Sequence, residues 1–109
     1  MESNVVYQSD IAWKDLGGGV SRRVLSHTPA MMVVEVRFET HAIGAAHQHP
    51  HAQSTYVASG AFRFTIEGEP FVVRAGDTIT FSGNAVHGTE CLEAGTLIDV
   101  FAPMREDFL

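Results

Sequence analysis

The chain has 109 residues, 45% hydrophobic and 18% charged, a globular composition that predicts one domain over residues 1–109 and excludes long disorder. Seven Lys and Arg stand against 13 Asp and Glu, for a net charge of -6; the basic residues are scattered, which excludes nucleic acid as the main partner. No apolar run approaches the ~20 residues of a membrane span, and MESNVVYQSDIAWKDL lacks a basic n-region and an apolar h-region, so a cytoplasmic protein is expected.

In chain order, Asp10 to Leu16 has room for one helical turn at most, and Gly17-Gly18-Gly19 and Thr28-Pro29 read as turns. Met31 to Glu39 alternates with period two, with Met32, Val34, Val36 and Phe38 on one face. Ala61 to Glu67 repeats the pattern with Phe62, Phe64 and Ile66. Phe71 to Val73, Thr78 to Phe81 and Gly95 to Phe101 are three more short strands. Gly60, Gly68-Glu69-Pro70, Ala75-Gly76-Asp77, Ser82-Gly83-Asn84 and Ala94-Gly95 mark the breaks between them. The expected fold is an all-β sandwich or barrel, with Phe38, Phe62, Phe64, Phe71 and Phe81 in its core. The single cysteine, Cys91, rules out an internal disulfide and reads as a small buried hydrophobe.

Six histidines are the anomaly, and four of them lie between positions 41 and 51. His47 and His49 share one face if extended, placed to share a metal ion. Pro50 then breaks regular pairing, and a neighbouring antiparallel strand would set His87 across from the pair. His51 has the same parity as His47 and His49 and is the alternative ligand; His27 and His41 are expected outside the site.

The full pattern resembles the cupin superfamily. His47, one residue, His49, three residues, Gln53, six residues and Gly60 follow the spacing of its first motif, G-x5-H-x-H-x(3,4)-E-x6-G. Gly76, five residues and Ser82 to His87 follow the second, G-x5-P-x-G-x2-H-x3-N. His41 stands where the first motif opens with Gly. Gln53 replaces Glu, Ser82 replaces Pro, Asn84 replaces Gly and Cys91 replaces the final Asn. The resemblance implies a small conserved antiparallel barrel or jelly roll holding one divalent ion through His47, His49, Gln53 and His87. Three imidazoles and a neutral amide suit Ni²⁺, Zn²⁺, Fe²⁺ or Mn²⁺. Without a ligand carboxylate the ion keeps its full charge for an anionic substrate, which argues against oxygen chemistry.

The C-terminal segment LIDVFAPMREDFL, together with Gln53 and the chain length, is similar to the KdgF-type cupins of pectin and alginate breakdown. That resemblance implies ring opening of 4,5-unsaturated uronates to 5-keto-4-deoxyuronate, with Asp99 and Phe101 beside the metal and Arg105 as the leading partner of the substrate carboxylate. Arg37, Arg63 and Arg74 are the other arginine candidates. Asp99 shares a face with Leu97 and Phe101 in an otherwise apolar strand, so its pKa should be raised, as general acid–base work requires. The alternatives are another metal cupin enzyme, a dioxygenase or sugar isomerase, and a non-catalytic sugar-binding cupin. Exposed edge strands give a physical reason for a homodimer.

Overall fold

The alternating runs fold into eight antiparallel strands in the computed structural model, which describes residues 3–109. They are β1 (Lys14–Gly17), β2 (Val20–Thr28), β3 (Met31–Phe38), β4 (Ile43–His47), β5 (Ala52–Ile66), β6 (Glu69–Arg74), β7 (Thr78–Phe81) and β8 (His87–Ala102). Short 3-10 turns cover Gln8–Asp10 and Glu106–Phe108. The helical turn expected within Asp10 to Leu16 thus ends where that window begins, and Lys14–Gly17 pairs with β2 instead. Among the described residues no helix is long and apolar enough to cross a membrane.

The two long strands organise the rest. β5 and β8 pair from Ala52↔Ala102 to Ile66↔His87. The end of β8 near Phe101 continues into β3, β2 and β1, while the N-terminal half of β5 takes β7 on its other side. The beginning of β8 pairs with β4, and the C-terminal half of β5 pairs with β6. Two sheets therefore share one bent ribbon, the jelly-roll arrangement of an all-β domain.

The bend sits where the sequence suggested strand ends. Gly60 has φ +81°, and a Cβ there would run into the carbonyls of Glu93 and Ala94. At Gly95 a Cβ would collide with the Ser59 carbonyl. The register shifts between Val57 and Phe62. Gly60 and Ala94-Gly95 are thus not turns but a paired bulge, which bends strands without ending them.

Inside the barrel Met32, Val34, Val57, Phe62 and Cys91 are fully buried. Phe62 meets Phe38 edge to face at 5.3 Å. Each such phenyl ring contributes about 1.5–3 kcal/mol by leaving water. Phe71 is the exception among the expected core residues. It lies on edge strand β6 close to the Glu67–Gly68 hairpin and remains 49% exposed, while Val73 takes the inward place on that strand.

Candidate metal centre and active-site cavity

β4 and β8 bring the first histidines together: His47, the last residue of β4, lies opposite His87, the first residue of β8. His49 follows in the loop rather than in a strand. Its carbonyl accepts a hydrogen bond from the Asn84 N–H at 2.6 Å, so the turn before β8 fixes the loop after β4. Asn84 has φ +67°, a conformation that asparagine tolerates better than most residues. It can therefore stand where the second motif carries glycine.

Ligand atoms of His47, His49 and His87 lie within 4.8 Å of one another. Each ring turns Nδ1 to a backbone carbonyl: His47 to Ala45 at 2.8 Å, His49 to His51 at 3.1 Å and His87 to Ala85 at 2.9 Å. With Nδ1–H donating, each Nε2 carries a lone pair, the state a metal ligand needs. Burial holds the His49 and His87 pKa values below the ordinary imidazole value, which keeps the rings neutral. Phe81 stacks on His87 at 4.4 Å and restricts its ring.

Gln53 completes the arrangement. Its Nε2 donates to Thr55 Oγ1 at 3.0 Å and to Asp99 Oδ1 at 3.3 Å, which turns Oε1 toward His49 Nε2 at 2.9 Å. On a neutral His49 ring whose proton sits on Nδ1, two acceptors face each other there. A cation held by both His49 Nε2 and Gln53 Oε1 would resolve the clash. The donor set fits a divalent metal ion.

Asp99 lies on the same wall, directly across from Thr55 in the β5–β8 ladder. Thr55 Oγ1 donates to Asp99 Oδ1 at 2.6 Å. Desolvation by burial raises the Asp99 carboxyl to about 6, against the hydrogen bonds of Thr55 and Gln53, which pull it down. Phe101 is buried and meets His49 edge to face at 5.6 Å.

A cavity of about 270 Å³ opens above these groups, lined by His47, Gln53, His87, Asp99, Phe101 and Arg105 together with apolar side chains. The C-terminal 3-10 turn covers part of it. Phe108 packs against Phe101 at 5.6 Å, and the Arg105 guanidinium lies over the Phe108 ring at 4.1 Å. Of the four arginine candidates only Arg105 lines this cavity. Arg63 is paired with Glu90 at the surface, Arg37 lies on Trp13, and Arg74 is exposed. Arg22 lines it as well, and sequence reasoning missed it.

His51 does not join the three-histidine group; its part is the carbonyl that orients His49. His27 and His41 are exposed. Cys91 is fully buried, donates to the Glu93 carbonyl, and burial raises its thiol pKa.

A two-sheet antiparallel barrel with a histidine cluster at one end defines a class. Residues 34–101 match the cupin domain model, and the chain belongs to the cupin family. It is 42% identical over 99 residues to the pectin degradation protein KdgF of Dickeya dadantii, covering 89% of this chain and 90% of that protein. The structure of KdgF from Halomonas sp. superposes with a TM-score of 0.93 at 35% identity, covering 99% of this chain and 100% of that one. An RmlC-like cupin from Shewanella frigidimarina gives 0.94 at 34% identity, covering 99% and 97%. The resemblance to KdgF-type cupins carried by Gln53 and the C-terminal segment is borne out.

Proposed function

We propose that the protein opens the ring of a 4,5-unsaturated uronate to give the linear 5-keto-4-deoxyuronate. The observation that carries this reading is the placement of Asp99: a carboxyl raised to about 6 on the cavity wall, tied through the Gln53 amide to the three-histidine cluster. The similarity to proteins named KdgF supports it.

The substrate is a cyclic enol ether with a hydroxyl on C1 and a carboxylate on C5. The Asp99 carboxylate takes the proton of the C1 hydroxyl. The C1–ring-oxygen bond then breaks, C1 becomes an aldehyde, and the ring oxygen keeps the electron pair as the C5 enolate. The same carboxyl returns a proton to C4, leaving a ketone at C5. The product is an isomer of the substrate, and one group near pKa 6 suits both transfers. A divalent ion held by His47, His49, Gln53 and His87 supplies a Lewis acid that stabilises negative charge on substrate oxygens. Phe101 walls the ring in, and Arg105 pairs with the carboxylate.

Ni²⁺, Zn²⁺, Fe²⁺ and Mn²⁺ all suit this donor set, and metal analysis of the purified protein identifies the one used. The free thiol of Cys91 suits a reducing cytoplasm. A homodimer would cover the edge strands β1 and β6, where Leu16, Phe71 and Val72 are exposed; light scattering during size exclusion measures this. The test of the function is the decay of the unsaturated uronate's ultraviolet absorbance. Metal-loaded protein should accelerate it well above the spontaneous rate, and an unchanged rate would overturn the reading.

A further inference from the structure

On β2 the inward row is Val20, Arg22 and Val24, set across from Phe38, Val36 and Val34 of β3. Those three partners are 5%, 8% and 0% exposed. Arg22 therefore occupies a position that faces the barrel interior, between two valines, and its side chain reaches the active-site cavity. Among the described residues no carboxylate or carbonyl lies within hydrogen-bonding distance of its guanidinium. The guanidinium lies over the Phe108 ring, 3.7 Å from its centroid. The acid nearest in the sequence of that cap, Asp107, is already held by two donors of Arg105, at 2.8 and 3.3 Å. A guanidinium with five donors, aimed into a cavity and stacked only on an aromatic ring, is positioned for an anionic ligand.

We propose that Arg22 is a substrate-binding residue, which with Arg105 forms a two-guanidinium site for the carboxylate of an acidic sugar. The inference rests on the uronate reading above and adds a residue to it. Phe108 holds both guanidiniums, with centroid distances of 3.7 and 4.1 Å, so their spacing is set before substrate arrives. Burial and the charge of Arg105 lower the pKa of Arg22, and the Asp107 carboxylate, which is bonded to Arg105, offsets this only in part; a substrate carboxylate beside the two cations would add to that offset. The planar fork of Arg22 can take two carboxylate oxygens, while Arg105 offers the donors that Asp107 leaves free.

The test uses metal-loaded wild type, Arg22→Met and Arg22→Lys. Metal content and thermal midpoint are measured beside steady-state kinetics on the unsaturated uronate. Calorimetric titrations use galacturonate, which has no 4,5 double bond to react, and galactose, which has no carboxylate. A lost charge-assisted pair predicts a KM raised about ten- to a hundred-fold in Arg22→Met, with kcat within a few-fold of wild type. Its preference for galacturonate over galactose should shrink by the same factor. Arg22→Lys keeps the charge without the fork and should fall between the two. If Arg22→Met does not fold, the KM and sugar preference of Arg22→Lys decide alone. Wild-type KM and sugar preference in folded variants would overturn the role of Arg22 while leaving the uronate reading intact. A wild type that ignores the unsaturated uronate, yet binds galacturonate through Arg22, would overturn the reaction and keep the acidic-sugar site. A wild type that binds neither acidic sugar would overturn both.

Discussion

The two halves of β5 are one strand with opposite characters. Before Gly60 the buried residues are Gln53, Thr55 and Val57, all at odd positions; after it Ala61 is buried within the bulge itself, and beyond the bulge Phe62 and Phe64 are buried, at even positions. The same partner strand runs beside both halves, giving Phe101, Asp99 and Leu97 to the first and Cys91 and Thr89 to the second. The bulge at Gly60 shifts the register and swaps the face that looks inward. One pair of strands can then furnish a polar, hydrogen-bonded floor at one end of the barrel and an aromatic plug at the other. The plug gives stability, and the floor places a carboxyl and an amide where neither could sit in a simple apolar core.

The largest expected effect lies in the polar half. His87→Ala removes one of three converging imidazoles and should weaken metal binding by more than the about 10–100-fold that outer partners alone are worth. Metal analysis after dialysis checks this, with thermal melting of the metal-free protein as the control. Full occupancy would contradict the ligand assignment.

Gln53→Glu should keep metal and lose activity by roughly 10²–10³-fold, because a unit charge ~4 Å away at an effective dielectric near 20 is worth about 4 kcal/mol. The variant also replaces the amide that donates to Asp99 with a second carboxylate. The activity that remains should therefore have its pH profile displaced upward. Turnover measured across pH at full metal loading tests both statements.

In the aromatic half, Phe62→Ala should cost about 3–5 kcal/mol of stability, read from urea unfolding. Phe71→Ala on the exposed edge should cost a small fraction of that. Equal losses would mean that the two phenylalanines do not differ in burial as described.

The smallest effect is with pH. The Asp99 carboxyl is raised in the folded state to about 6, so the native protein holds a proton there that the unfolded chain has released. Stability of the metal-free protein should therefore fall as pH rises from the ordinary carboxylate range through about 6. Activity should move the other way, since it needs the carboxylate as base, and kcat/KM should drop as pH falls below about 6. Melting temperature and rate recorded over the same buffers reveal whether the two trends oppose each other.

Much of this was readable in the chain. Period two marked β3 and both ends of the barrel core, and the spacing of His47, His49, Gln53 and His87 marked the cluster, because strand parity and short loops convert sequence distance into spatial distance. β2 was hidden because Arg22 stands in its inward row and breaks the apolar alternation. The same fact concealed Arg22 as a cavity residue, since only the register with β3 tells which way it faces. Gly60 and Gly95 carried a true signal for unusual backbone, but a bend and a turn demand the same glycine. Phe71 looked like core by composition, and only its place on an edge strand exposes it.

The central claim is that Asp99 exchanges the proton in ring opening. Asp99→Asn is nearly isosteric and can keep a hydrogen bond with Thr55, so metal content and melting temperature should match wild type. The decisive measurement is the decay of ultraviolet absorbance of the unsaturated uronate at matched metal loading. If Asp99 carries the proton, the rate falls by roughly 10²–10⁴-fold relative to wild type. A folded, metal-loaded Asp99→Asn protein that turns over at the wild-type rate would contradict it.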